Sequence, residues 1–150
     1  MGRAGGVREL ARVLRPDGSL LATTNSRRAP RVLVLELHRR ALEDPGIPVP
    51  REAEPFSMEN GRRPLEAAFG RVEAHYVRDT QTAPDVAAFM AGYRTLGRYR
   101  LVAEDRSIPA ATRARLATRV EELAEQVLAR EGVLRSEGLM GAFVCREPRS

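Results

Sequence analysis

The segment Leu10-Ala11-Arg12-Val13-Leu14-Arg15-Pro16-Asp17-Gly18-Ser19-Leu20-Leu21 constrains this chain more than any other, because it stands almost at the start. Val7, Leu10, Ala11 and Leu14 recur at helical spacing, and a helix must stop before Pro16. Pro-Asp-Gly is a turn signal, and Ser19 to Thr24 is a short apolar run bounded by Gly18 and Asn25. The pattern predicts the tail of an amphipathic helix, a turn, and a strand buried among parallel neighbours. That is the form of a helix-to-strand crossover in an α/β domain. Such a crossover follows earlier strands, yet no strand is legible before this one.

Downstream, Ala29-Pro30 is expected to open a second helix reaching about Leu42, with proline in the first turn and Val32, Leu35 and Leu42 among its apolar positions. Glu43 to Pro55 holds four prolines and one glycine in thirteen residues, which reads as a stiff surface connection over the edge of a site. Ser57-Met58-Glu59-Asn60 suits a short turn, and Pro64 to Ala68 a short helix ending near Gly70. Arg71 to Arg78 alternates Val72, Ala74 and Tyr76 with Arg71, Glu73 and His75, the period of a half-buried strand.

Pro84-Asp85 starts a helix whose Val86, Phe89, Met90 and Tyr93 form one apolar stripe. A long helix from about Pro109 to Glu131 carries Leu116, Val120, Leu123, Val127 and Leu128 on one side, with Gly132 placed to end it. Gly141 to Arg146 is apolar in its middle and reads as a final strand inside a sheet.

At 150 residues the chain has the length of one ordinary domain. It has neither an apolar run that would span a bilayer nor the pattern of a signal peptide. The single Cys145 makes no internal disulfide, so a reducing, cytoplasmic location is expected. The net charge of +5 invites a nucleic-acid partner, but all 25 basic residues are arginine and they alternate with 20 acids without forming a basic block.

Ala11 to Leu21 resembles the R-V-L-R-P-G-G-x-L-L segment of class I S-adenosylmethionine-dependent methyltransferases of the type 11 kind, which leads from the fourth crossover helix into the fifth strand. Asp17 replaces the family's first glycine, leaving Gly18 as the residue free to take positive φ. Further words follow in the family's order: Thr23-Thr24-Asn25-Ser26, Glu36-Leu37, Phe56-Ser57-Met58-Glu59-Asn60-Gly61, Phe69 with Val72-Glu73, and Gly141-Ala142-Phe143-Val144. The resemblance covers about residues 7 to 147 and concerns the C-terminal half only.

It implies an α/β fold class, the distal half of a Rossmann-like methyltransferase sheet of about three strands. The last strand runs antiparallel, inserted between the fifth and sixth, with a helical insertion and a long helix near the C-terminus. Residues 1–150 would then be a single partial domain lacking the N-terminal half that binds S-adenosylmethionine. The cofactor would belong to the complete enzyme, and this chain alone would bind none.

No catalytic, cofactor-binding or metal-ligating residue is assigned. Asn25, Ser26 and Arg27 lie just past the C-terminal end of the first strand, where open α/β sheets bind ligands, although Asn and Ser there also fix turns. Phe89 and Tyr93 either wall a substrate pocket or form a core face. His38 and His75 read as surface histidines, Cys145 as a small apolar residue in a buried strand, and Gly2, Gly5 and Gly6 as a flexible start.

Three functions follow as expectations. The first is part of a methyltransferase acting on a small-molecule acceptor and inactive alone. The second is a non-catalytic interaction or complementing module descended from one, and the third a basic nucleic-acid binder. Without a fourth strand, Ser19 to Thr24 is expected to present an open edge that pairs with an N-terminal half or a second copy, with no membrane partner.

Overall fold

The computed structural model describes residues 3–43, 46 and 55–149. The expected connection from Glu43 to Pro55 therefore lies, apart from Glu43, Gly46 and Pro55, outside the described residues. Among those described, one compact unit comprises residues 3–30, 55–79 and 138–149, and a second comprises 31–43, 46 and 80–137. The elements are α1 (Arg3–Val13), β1 (Ser19–Asn25), α2 (Leu33–Leu42), α3 (Arg62–Glu66), β2 (Phe69–Ala83), α4 (Val86–Thr95), α5 (Gly97–Ala103), α6 (Ala110–Glu131) and β3 (Leu134–Pro148). The strands form an open antiparallel sheet in the order β1-β3-β2.

In the first unit, Val7, Ala11 and Leu14 follow one another by four and three residues and pack against the core, whereas Leu10 and Val13 are exposed. α1 runs back to Arg3, so Gly5 and Gly6 belong to a helix and not to the loose start expected of them. Gly18 corrects another expectation, because its φ is not positive. Its N–H donates to the Arg15 carbonyl at 2.8 Å, and a Cβ would lie 2.9 Å from that oxygen, so close approach is what the turn requires there.

β1 pairs with β3 from Ser19 opposite Arg146 to Asn25 opposite Met140. Leu20 opposite Cys145 and Ala22 opposite Phe143 face a core shared with Met58, Leu65 and Phe69. Burying an aromatic side chain such as Phe69 or Phe143 contributes about 1.5–3 kcal/mol. The expectation of a strand buried among parallel neighbours is corrected: β1 has one antiparallel neighbour, lies at the sheet edge, and leaves Leu21 65% exposed. β2 is longer than expected, and Tyr76 is exposed in spite of its apolar position in the alternation. Cys145 is buried as expected, and burial raises its thiol pKa.

In the second unit, Leu33, Leu37 and Ala41 of α2 pack with Met90 and Tyr93 of α4, Val102 of α5, and Leu116, Val120, Leu123, Ala124 and Val127 of α6. α2 begins at Leu33 and not at Ala29-Pro30, because Arg31 first exchanges backbone hydrogen bonds with Glu137. Ser136 Oγ then accepts from the Leu33 N–H at 3.1 Å, a cap supplied from β3. Asp85 caps α4 within its own helix by accepting from Ala88 N–H at 2.7 Å. Gly132 ends α6 at φ 72°, donating to the Leu128 carbonyl at 2.8 Å.

Much of the arginine charge is met locally. Arg39–Glu43 and Arg100–Glu104 join residues four apart, and Arg119–Glu122 residues three apart. Among the described residues no helix is long and apolar enough to cross a membrane.

Candidate functional site

The residues singled out at the end of β1 meet a partner that sequence reading named only as part of a turn. Ser26 is buried, and its hydroxyl donates to Glu59 Oε1 at 2.5 Å. The Arg27 N–H donates to Glu59 Oε2 at 3.0 Å, and the Ser26 hydroxyl accepts from Arg28 N–H at 3.1 Å. The turn carrying Glu59 is braced by Asn60, which accepts from Ser57 N–H at 2.8 Å, and by Met58 N–H donating to the Asn25 carbonyl at 3.2 Å.

Hydrogen bonds from the Arg27 amide first, and the Ser26 hydroxyl second, hold the Glu59 carboxyl at a pKa of about 2. Both carboxylate oxygens are thereby engaged, and Glu59 anchors the β1 exit. Asn25 and Arg27 are exposed beside it, while Ser26 has its hydroxyl committed to the turn. Glu59 was legible as a residue, but a contact across 33 positions leaves no local pattern.

Phe89 and Tyr93 line a cleft of about 230 Å³ in the second unit, together with Thr82, Leu96, Leu134 and Ser136. Tyr93 is buried, and its hydroxyl shares a 2.9 Å hydrogen bond with His38 Nδ1. Burial raises the Tyr93 pKa, with the neighbouring Tyr99 adding to the shift, so the phenol stays neutral. The Tyr99 ring packs against it in a tilted contact, with 4.9 Å between centroids and 52° between planes.

His38 is therefore buried, not on the surface as expected, because it lies on the inner face of α2 and finds a polar partner in the core. His75 is exposed, as expected. No group of three His, Cys, Asp or Glu side chains suited to a metal ion occurs among the described residues. Sequence reading missed the cap from Ser136 and the contribution of Gly92 to the cleft, since neither residue type carries a signal of its own.

The sequence matches no protein-family model. Nor does it match a curated protein sequence.

Proposed function

We propose that this chain is the distal, acceptor-side portion of a class I S-adenosylmethionine-dependent methyltransferase that acts on a small molecule. The observation that supports this reading is a helix, turn and strand spelling Leu10 to Leu21, joined to a sheet in which β3 lies between β1 and β2 and runs antiparallel to β1. The resemblance implies a last strand that runs antiparallel, inserted between the fifth and sixth.

On this reading the cofactor belongs to the complete enzyme and not to this chain alone. At the β1 exit the Ser26 hydroxyl is committed to Glu59, and the cleft of about 230 Å³ lies below the ~300–1,000 Å³ of sites for drug-sized ligands, a size suited to a small acceptor. The proposal therefore assigns the methyl donor to a complementing segment and the acceptor side to this chain. When bound, the donor supplies a sulfonium methyl. The chain's contribution is to hold the acceptor in line and keep water from it, which is where much of the rate of such a transfer resides.

Calorimetric titration of chain 1–150 with S-adenosylmethionine, beside a light-scattering mass, tests this. No heat is expected from the chain alone, and binding is expected once it is co-expressed with a segment carrying a glycine-rich strand, turn and helix. Micromolar binding by the chain alone overturns the division of labour. Failure of every such segment to confer binding overturns the methyltransferase reading.

A second reading, a non-catalytic module that pairs through β1, is favoured by one observation. Ser19–Asn25 is an edge strand with no charge and no proline. Complementation without methyl transfer would select it.

A further inference from the structure

The cleft beside α4 contains a glycine that the packing of the second unit does not require. Ala88, Phe89, Gly92 and Tyr93 of α4, with Leu96 just past its end, form one wall of that cleft, and glycine within a helix is disfavoured relative to alanine. A Cβ built at Gly92 would meet no atom within 4 Å, and the residue's φ is not left-handed. Neither crowding nor backbone conformation demands glycine there. Gly92 is exposed and lines the cleft, so a larger side chain at this position would stand at the cleft's mouth.

We propose that this cleft binds a small neutral molecule built on a single ring and carrying one hydrogen-bonding oxygen. Its size sets the upper limit: a cavity of roughly 150 Å³ lined by apolar side chains admits benzene. At about 230 Å³ there is room for one substituted ring and not for two. Phe89, Tyr93, Leu96 and Leu134 supply apolar walls for the ring faces.

Polarity is confined to Gln81, Thr82 and Ser136, and no carboxylate, guanidinium or imidazole lines the cleft among the described residues. A charged ligand would find no counter-charge among these lining residues. Ser136 Oγ already accepts from Leu33 N–H, so its own proton is directed elsewhere and suits an acceptor oxygen on the ligand. The Tyr93 hydroxyl is held by His38, which fixes that ring as a wall. Binding in the cleft stands by itself, whereas its role as the acceptor pocket rests on the methyltransferase reading.

The test is titration of the ¹⁵N-labelled chain with p-cresol, followed in amide correlation spectra, with benzoate as the charged counterpart. Saturable shifts are expected at the amides of Thr82, Ala88, Gly92 and Ser136, with benzoate weaker by roughly tenfold or more. Gly92→Leu places a side chain at the cleft's mouth and is expected to weaken p-cresol by about tenfold or more with native dispersion retained. Thr82→Val, at an exposed position, is expected to weaken it by about threefold.

Absence of saturable shifts at these amides overturns the proposal, as does equal binding by wild type and a folded Gly92→Leu chain. Should Gly92→Leu lose native dispersion, unchanged affinity in Thr82→Val together with equal affinity for benzoate overturns it. None of these readouts involves S-adenosylmethionine, so this proposal and the methyltransferase reading fail separately.

Discussion

Ser26 donates its hydroxyl to the Glu59 carboxylate at 2.5 Å, joining the first residue past β1 to a turn 33 positions away. The Glu59 pKa in the fold is about 2 against an ordinary 4.5. Because the folded value is the lower one, the stabilisation is complete above about pH 4.5 and is lost as pH falls towards about 2. Ser26→Ala is expected to lower stability by ~1 kcal/mol at neutral pH, with the difference from wild type shrinking in acid. Glu59→Gln is expected to flatten that acid slope. Urea midpoints at neutral pH and in acid measure both, and a penalty for Ser26→Ala that does not change with pH would refute the assignment.

Tyr93→Phe keeps the ring of the cleft wall and removes only the partner of His38 Nδ1. The expected loss is about 1 kcal/mol with an unchanged denaturant slope, because one buried hydrogen bond is removed while the buried area stays the same. Wild-type stability in Tyr93→Phe would show that the His38 contact contributes nothing.

Gly132→Ala is expected to cost about 1–2 kcal/mol, since φ 72° places a Cβ against the carbonyl that follows. A calorimetric Tm lowered by roughly 2–8 °C is the readout for a chain of this size. An unchanged Tm would mean that the end of α6 rearranges without penalty.

The exposed edge of β1 predicts a light-scattering mass that rises with concentration. Leu21→Lys adds a charge at a position already 65% exposed, so it is expected to hold the chain at monomer mass without unfolding it. A wild-type chain that stays monomeric at high concentration would count against pairing through this edge.

Helices with one apolar stripe were the most legible part of the fold. Val86, Phe89, Met90 and Tyr93 lie on α4 as their spacing predicts, and Leu116, Val120, Leu123 and Val127 form the buried side of α6. Strand lengths were less legible. β2 reaches from Phe69 to Ala83 and β3 from Leu134 to Pro148, yet alternation was visible only over Arg71 to Arg78 and apolarity only over Gly141 to Arg146. Outside those stretches exposed or half-exposed residues fall on successive positions, as at Arg135 to Met140, and the period of two disappears. α5 was not read at all, because seven residues are too few for a stripe to declare itself.

Of the site, the sequence pointed to Asn25, Ser26 and Arg27 by their position after a strand and to Phe89 and Tyr93 by their place on a helix face. It could not show that Ser26 closes on Glu59 or that Tyr93 meets His38, since hydrogen bonds across 33 and 55 positions obey no local period.

The sequence by itself determined where α4 begins, where α6 ends and which faces of those two helices are buried, because spacing and caps act within a few residues of one another. Only the tertiary structure decided that β1 is an edge strand paired antiparallel to β3. Only there, too, does Ser136 cap α2 and Gly92 border an open cleft. Those outcomes depend on which distant segments come together, a choice made by the packing of whole faces and written in no single stretch of chain.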